Sequence, residues 1–284
     1  MLSCDNCFRR CKQHFFCSKD NSIRINLHQL HYWEEPPISG TKGSGTIFFS
    51  RCNLACVFCQ NYKISQLGQG KDISQDELFN ICLELKSLGA HNINFVTPTP
   101  HQEKIVPVLR KLKKQGFDLP IVWNCGGYET VEAIKRLDGL VDIYLPDFKY
   151  SDNELAVKYS SAPGYFPNVV EVIKEMRRQV KDSFSDDNIM KQGLIIRHLI
   201  LPGAVQNSFG VLNAIEQSFG NKVFISLMSQ YYPIHKAFEC IALSKKLNLA
   251  EYEAVLEHLE KLGFENGFVQ GLDSASSEYT PDFK

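Results

Sequence analysis

Short apolar runs alternate with amphipathic stretches from Thr46 onward. The apolar runs are rich in β-branched and aromatic residues and therefore predict strands. Six of them lie at residues 46–50, 92–97, 119–124, 141–147, 194–200 and 222–228. In the amphipathic stretches apolar residues recur every three or four positions, which is typical of helices. These stretches lie at residues 74–89, 102–115, 129–137, 166–180, 207–217 and 237–246.

This alternation predicts an α/β fold. Strands that alternate with helices form a parallel sheet with the helices outside it. Six units are fewer than the eight of a closed TIM barrel, so we expect a partial (β/α)6 TIM-like barrel with a short N-terminal cysteine-rich module. A flat doubly wound sheet is the alternative, although no GxGxxG segment follows a strand.

The first predicted helix has the clearest boundaries. Ser74 precedes it and Glu77 follows three residues later, which is the pattern of a capping box. Gly89 suits the end of this helix, because glycine readily adopts the left-handed conformation of a helix terminus.

Three regions of the chain differ in character. Residues 1–45 hold an early cysteine cluster and then irregular sequence with Pro and Gly, and they predict a metal-binding module. Residues 46–246 carry the barrel, and residues 247–284 carry one more helix, at about 249–262, and a polar tail. We expect the regions to pack as one body.

The composition narrows the class of protein. The 284 residues are 44% hydrophobic and 22% charged, with a net charge of −1. This balance is ordinary for a globular protein and provides no basic surface for nucleic acid or an anionic membrane. No apolar run approaches the ~18 residues of a membrane span, and the first residues lack the apolar stretch of a signal peptide. We therefore expect a soluble cytoplasmic protein.

Ten cysteines are the unusual part of the composition, because seven lie within the first 59 residues. Cys52, Cys56 and Cys59 form a C-x3-C-x2-C loop directly after the first strand, where barrel enzymes place their chemistry. Three thiolates can hold three irons of a [4Fe-4S] cluster and leave the fourth iron open to S-adenosylmethionine (SAM). A structural zinc loop is the alternative, but zinc usually takes four protein ligands, and no fourth Cys or His lies nearby in sequence.

The cysteine loop and its surroundings, GSGTIFFSRCNLACVFCQN, resemble the radical SAM superfamily and, more closely, the relatives of the pyruvate formate-lyase activating enzymes. Further stretches resemble one branch of that group: HYWEEPPISG, NINFVTPTP, VDIYLPDFKY, IIRHLILPG and SLMSQYYP. The resemblance implies a radical SAM oxidoreductase that reductively cleaves SAM at the cluster to a 5′-deoxyadenosyl radical for hydrogen abstraction. It also implies anaerobic chemistry and an electron donor such as flavodoxin or ferredoxin.

The substrate stays open on the sequence alone. A protein glycine as substrate would make this an activating enzyme for a glycyl-radical enzyme. A different peptide or a small molecule would make it a modifying enzyme. A protein of another class, a non-catalytic adaptor whose two cysteine groups bind structural zinc, is the remaining alternative.

Side chains near the strand ends are the first group of candidate SAM ligands. Phe58, directly before the last loop cysteine, is expected to shield the cluster and to pack on the adenine. Thr97 and Thr99 follow the second strand, where superfamily members often carry a Gly-rich stretch for the SAM amino group. The prolines beside them remove backbone donors, so these threonines would act through hydroxyl or carbonyl groups. Asn124 ends the third strand and offers both a donor and an acceptor.

Charged residues of the next two strands complete the candidate set. Asp147 and Lys149 are similar to the Asp-x-Lys of activating enzymes, in which the lysine helps to hold SAM. Arg197 matches in place the arginine that those enzymes carry before a Pro-Gly turn, and an arginine can bridge a carboxylate bidentately. The alternative is that the three residues form an internal ion-pair network.

The N-terminal cysteines predict a second metal site. Cys4, Cys7, Cys11 and Cys17 place four thiols within fourteen residues. Four thiolates suit tetrahedral zinc or a fully ligated iron–sulfur cluster. We favour zinc, and an auxiliary [4Fe-4S] cluster or a metal-free segment are the alternatives.

Overall fold

The computed structural model describes residues 5–10, 22–276 and 281–283. Within these ranges the chain forms ten strands and nine α-helices. The strands are β1 (Ile23–His31), β2 (Ser44–Phe49), β3 (Lys71–Ile73), β4 (Ile93–Val96), β5 (Ile121–Cys125), β6 (Ile143–Pro146), β7 (Ser183–Phe184), β8 (Met190–Leu199), β9 (Phe224–Met228) and β10 (Gly267–Val269). The helices are α1 (Pro36–Ser39), α2 (Tyr62–Ser65), α3 (Gln75–Ser87), α4 (Gln102–Lys114), α5 (Val131–Lys135), α6 (Asn153–Ser160), α7 (Tyr165–Gln179), α8 (Val205–Phe219) and α9 (Leu249–Lys261).

The strands form one mixed sheet in the order β10-β9-β8-β6-β5-β4-β2-β1-β3, with β7 paired to β8. Neighbours in this order are parallel from β10 to β2, whereas β1 pairs antiparallel with both β2 and β3. The six strands expected from the sequence therefore lie side by side in chain order. The α/β class is confirmed, and this order is consistent with a partial (β/α)6 barrel.

The two faces of the sheet pack into different apolar clusters. Trp123 and Tyr144 belong to the large core that the helices close. Val122 directly precedes Trp123, and Ile143 directly precedes Tyr144. Both belong to a smaller cluster that includes Ile38 of α1. Because alternate residues of a strand point to opposite faces, this second cluster marks the inner face of the sheet. Helix α1 therefore packs on the inner face.

Parallel register brings the predicted site residues to one edge of the sheet. Val96 of β4 pairs with Asn124 of β5. An isolated bridge then joins Asp147, which follows β6, to Arg197 of β8. The carboxyl ends of neighbouring parallel strands lie together, so these side chains meet at the same end of the sheet.

The predicted helix boundaries hold best where the sequence carries a cap. Helix α3 begins after Ser74, whose side chain accepts from the backbone N–H of Glu77 while the Glu77 carboxylate accepts from that of Ser74. The helix predicted at 237–246 is wrong, because two 3-10 turns occupy this region. Ala237 and Leu243 there are fully buried, but Phe238 and Ile241 are 66% and 94% exposed, so the apolar residues do not form one buried helix face.

Strand β1 joins the first region of the chain to the barrel. Its residues lie within the expected N-terminal module, yet they pair with β2 along most of the length of both strands. The division of the chain at residue 45 stays a prediction, and the two sides of that boundary share one sheet. None of the helices in the described ranges is long and apolar enough to cross a membrane.

Candidate active site

A cavity of about 240 Å³ lies at the carboxyl ends of the parallel strands. Its lining combines the cysteine loop after β2 with side chains from the ends of β4, β5, β6 and β8. The predicted site residues along this cavity are Cys52, Cys56, Phe58, Cys59, Thr97, Asn124, Asp147, Lys149 and Arg197.

Thr99 is the one predicted SAM ligand that lies elsewhere. It begins a 3-10 turn after β4 and is 1% exposed. Its hydroxyl donates to Glu129 Oε1 at 2.6 Å, away from the residues that line the cavity. Thr97 does reach the cavity, but its N–H is already used, since it donates to the Asn124 carbonyl at 2.9 Å.

The cysteine loop is fixed by the end of helix α6. The backbone N–H of Ala55 donates to the Ser160 carbonyl at 3.1 Å, and that of Val57 donates to the Tyr159 carbonyl at 2.8 Å. These bonds satisfy loop donors that a buried segment cannot leave to water. They also satisfy helix carbonyls that have no partner within α6. The loop therefore has one defined path over the strand ends.

The three loop thiols are free and sit in a low-dielectric environment. Burial raises the pKa of Cys52 and Cys56, and it raises that of Cys59 to about 11. Neighbouring cysteines add to the effect at Cys52 and Cys59, because crowded thiolates repel one another. Three thiolates here need a positively charged partner, and iron–sulfur clusters take thiolate ligands. In the described part of the chain, no three His, Cys, Asp or Glu side chains are grouped as ligands of a single metal ion.

Phe58 forms part of the apolar wall beside the thiols. Its side chain is 6% exposed and packs edge-on against Tyr231, with ring centroids 6.0 Å apart. Both rings line the cavity. An aromatic wall of this kind suits a flat apolar surface such as a nucleobase.

Four ionisable side chains form a charged cluster at the inner end of the cavity: Glu34, Asp147, Lys149 and Arg197. Lys149 Nζ donates to Asp147 Oδ2 at 2.5 Å. Arg197 Nε and Nη2 lie 3.0 and 2.9 Å from Asp147 Oδ1. The Nη2 group also donates to Asn124 Oδ1 at 2.5 Å, and Nη1 donates to Glu34 Oε2 at 3.4 Å. The alternative of an ion-pair network is therefore present in the structure, and its members line the cavity.

The charges in this cluster stabilise one another. Burial acts to raise the pKa of Asp147, but Arg197 and Lys149 outweigh it and hold that pKa below its ordinary value. Burial acts to lower the pKa of Lys149, and the Asp147 carboxylate more than offsets this, so the pKa is raised. Both groups are therefore charged at neutral pH.

The sequence interpretation missed Glu34, which lines the cavity, and its buried neighbour Glu35. Glu34 Oε1 accepts from Asn94 at 2.9 Å and from Asn124 at 3.3 Å. Glu35 is 8% exposed, and its Oε2 has no hydrogen-bond partner among the described residues. Burial raises the pKa of both carboxyls, although the Arg197 charge acts against this. The sequence signal that could have identified them is the pair of adjacent acids directly before Pro36 and Pro37.

The N-terminal segment 5–10 packs against the same loop. Cys7 is 1% exposed and forms an isolated β-bridge with Glu129. Arg9 Nε donates to the Asn53 carbonyl, between two loop cysteines, at 2.6 Å. Its guanidinium also lies 5.5 Å from the centre of the Tyr128 ring. Three cysteines of the predicted second metal site, Cys4, Cys11 and Cys17, lie outside the described residues.

Three known proteins share sequence with parts or most of this chain. The chain is 34% identical over 273 residues to an uncharacterized protein of Methanocaldococcus jannaschii, covering 91% of this chain and 75% of that protein. It is 28% identical over 108 residues to a putative glycyl-radical enzyme activating enzyme of the same organism, covering 38% and 44%. It is 25% identical over 134 residues to the pyruvate formate-lyase-activating enzyme of Clostridium pasteurianum, covering 45% and 55%.

Solved structures share the fold at low identity. Streptococcus suis SuiB bound to the precursor peptide SuiA matches with a TM-score of 0.55 and 11% identity, covering 79% of this chain and 48% of that chain. SuiB bound to S-adenosylmethionine matches with a TM-score of 0.53 and 11% identity, covering 79% and 50%. The chain thus spans about half the length of these structures. The family model of the radical SAM superfamily matches residues 46–192, more than half of the chain, and the protein belongs to that superfamily.

Proposed function

We propose that this protein holds a [4Fe-4S] cluster at the loop cysteines, binds SAM in the adjoining cavity and activates a glycyl-radical enzyme. The observation that carries the proposal is the convergence of Cys52, Cys56, Cys59 and Lys149 on one cavity at the strand ends. Membership of the superfamily supports an enzyme that uses a cluster, SAM, a reductant and a substrate. Similarity to putative glycyl-radical enzyme activating enzymes supports the choice of substrate.

The donor set of the loop fits the cluster. Three free thiols of one short loop face one cavity, and soft thiolates are preferred ligands of iron–sulfur clusters. When bound, the cluster and SAM supply a 5′-deoxyadenosyl radical that abstracts a hydrogen atom from an unreactive C–H bond. The side chains around them bind, orient and exclude water.

Lys149 is the best-placed cation for the SAM carboxylate. Its ammonium group has three N–H donors, and Asp147 takes one of them. Asp147 holds the ammonium beside the cavity. The ammonium remains charged because its pKa is raised. Two donors are therefore available to an anionic group beside the cluster loop. A charge-assisted contact of this kind is stronger than a neutral hydrogen bond.

Arg197 acts as a positioning residue in this proposal. Its Nε and Nη2 face Asp147, its Nη2 also faces Asn124, and its Nη1 faces Glu34. Three hydrogen bonds, one from each guanidinium nitrogen, already hold it to Asp147, Glu34 and Asn124, whereas the Lys149 ammonium bonds to Asp147 alone among the described residues. Turning the guanidinium towards SAM would break these bonds. We therefore assign it to the alignment of the residues around it.

Phe58, Asn124 and Thr97 complete the proposed SAM site. Phe58 would provide an aromatic wall for the adenine, and Asn124, near the end of β5, lines the same cavity. Thr97 would contribute its hydroxyl, since its N–H is bonded to Asn124. The glycine after β5, Gly126, leaves room for the loop, because a Cβ there would lie 2.8 Å from Leu54 Cδ1.

A second metal is proposed for the N-terminal module. Four cysteines, Cys4, Cys7, Cys11 and Cys17, would form a closed tetrahedral zinc site, and an auxiliary [4Fe-4S] cluster is the alternative. The segment that carries Cys7 is tied to the cluster loop through Arg9, so this metal would brace the loop.

Two measurements test the proposal. Activation of a glycyl-radical enzyme consumes about one SAM for each glycine, whereas modification of another peptide or a small molecule consumes SAM in step with product. The ratio of 5′-deoxyadenosine to product therefore separates these functions. The electron donor, flavodoxin or ferredoxin, can be replaced by dithionite in this assay. Zinc without sulfide in anaerobically purified protein would favour the non-catalytic adaptor and overturn the proposal.

A further inference from the structure

Two of the three loop cysteines face a serine hydroxyl. Ser160 Oγ donates to Cys56 Sγ at 2.9 Å, and both side chains are buried. Ser65 Oγ lies 3.2 Å from Cys59 Sγ. As a cluster ligand a cysteine is a thiolate and carries no proton, so the hydroxyl must be the donor in both pairs.

The third cysteine receives its hydrogen bond from the backbone. The N–H of Leu54 points to Cys52 Sγ at 3.3 Å. Each of the three sulfurs thus has one donor, two from side chains and one from the main chain. A loop that only had to carry three ligands would not need a hydroxyl at two of them.

A second hydrogen bond fixes the orientation of the Ser160 hydroxyl. Tyr150 Oη lies 2.6 Å from Ser160 Oγ, and both residues are fully buried. When Ser160 donates to the sulfur, the phenol of Tyr150 is the group that donates to Ser160. Burial raises the pKa of Tyr150 well above its ordinary value, so the phenol keeps its proton. The result is a buried chain of two hydroxyls that ends on Cys56.

We propose that Ser65 and Ser160, with Tyr150 behind Ser160, set the reduction potential of the cluster. Hydrogen bonds to the ligand sulfurs stabilise the added negative charge of the reduced cluster and raise its potential. In the step concerned, one electron passes from an external reductant to the cluster, and no bond or proton is exchanged. The inference rests on the proposed function and identifies residues that govern how readily the site is reduced.

The test is a redox titration of the reconstituted protein with dithionite and mediator dyes, followed by electron paramagnetic resonance. We expect Ser160→Ala and Ser65→Ala each to lower the ratio of reduced to oxidised cluster at a fixed potential about three- to tenfold. A tenfold change corresponds to 59 mV for one electron. Tyr150→Phe should shift the ratio in the same direction by less. Ser44→Ala is the control, because Ser44 is fully buried but bonds to Asn92 at the amino end of β2.

The outcomes separate this inference from the proposed function. Equal potentials in wild type and Ser160→Ala, with equal iron and sulfide content, would overturn the inference and leave the cluster assignment standing. If Ser160→Ala does not fold, Ser65→Ala and Tyr150→Phe decide by the same criterion. A shift as large in Ser44→Ala would also overturn it, since the effect would then not depend on the sulfurs. A wild-type protein that takes up no cluster would instead overturn the proposed function.

Discussion

Replacing Lys149 and Arg197 one at a time separates SAM binding from structural support in the charged cluster. Both side chains contact Asp147, and both are largely buried, with 17% and 13% of the side chain exposed. The sequence alone assigned both to SAM. The hydrogen bonds assign them different roles, because Lys149 bonds to Asp147 alone among the described residues, whereas Arg197 bonds to Asp147, Glu34 and Asn124.

Lys149→Met should weaken SAM binding far more than folding. A hydrogen bond to a charged group contributes about 1.5–3 kcal/mol, so SAM should bind ~10- to 150-fold more weakly. Asp147 keeps its contacts with Arg197 in this variant, so its charge remains compensated. Methionine also removes the desolvation cost of the buried ammonium, which offsets part of the lost bond to Asp147, so we expect a loss of only about 1 kcal/mol in the free energy of unfolding.

Arg197→Lys should show the reverse balance. An ammonium group can replace one of the contacts to Asp147, Asn124 and Glu34, but not the planar set. The introduced lysine keeps the positive charge, and Asp147 keeps its bond to Lys149, so the cost comes from lost hydrogen bonds. The side chains of Glu34 and Asn124 would lose a donor, and a buried polar group left without its partner costs about 1–3 kcal/mol. SAM affinity, measured below the unfolding transition, should fall by less than in Lys149→Met.

Isothermal titration with SAM, beside urea unfolding of the same samples, measures both quantities. Unchanged SAM affinity in folded Lys149→Met would remove that lysine from the binding site. A fully stable Arg197→Lys variant with lost SAM affinity would reverse the assignments. Either result would refute the division of roles between the two residues.

Three further predictions concern the N-terminal segment and the sheet interior. The double variant Cys4→Ser, Cys7→Ser should lose one metal site per chain but still bind SAM, and metal analysis with equal totals would show that the module is empty. Arg9→Gln should lower the free energy of unfolding by about 1 kcal/mol, because the bond to the Asn53 carbonyl is lost, and an unchanged urea midpoint would contradict this. Burial lowers the pKa of His198 from 6.5 to about 4, so between these values the unfolded chain binds a proton that the folded chain does not. Stability should therefore fall as the pH falls from 6.5 to 4, by up to about 3 kcal/mol at 1.36 kcal/mol per pH unit. His198→Gln should flatten this dependence in urea unfolding at pH 7 and pH 5, and an unaltered slope would contradict the assignment.

The strands and most long helices could be predicted because the local sequence pattern and the packing of the fold favour the same element. The run at 141–147 is apolar in sequence, and the strand Ile143–Pro146 is buried on both faces, as in a parallel sheet. Helix α3 was predicted from its capping box and its apolar face together. At 237–246 the sequence pattern and the packing disagree, because Ala237 and Leu243 are buried whereas Ile241 is exposed to solvent, so the apolar residues do not share one buried face.

Contacts between distant parts of the chain account for what the sequence could not predict. Glu34 stands in an irregular stretch, and only the fold brings it to Arg197, 163 residues away. Thr99 has a plausible position after a strand, but the short turn that it begins directs its hydroxyl to Glu129. Ser160 ends a helix that the apolar pattern did not reveal, and its proximity to Cys56 spans 104 residues.

The proposed function requires that the three cysteines of one loop hold the cluster at which SAM is cleaved. The most direct test is 5′-deoxyadenosine formation after anaerobic reconstitution with iron and sulfide, using dithionite as reductant. Wild type should form it, Cys52→Ala, Cys56→Ala and Cys59→Ala should form none, and Cys240→Ala should match wild type, since Cys240 does not line the cavity. Formation near the wild-type level in any one of the three loop variants would contradict the assignment of these cysteines to the cluster.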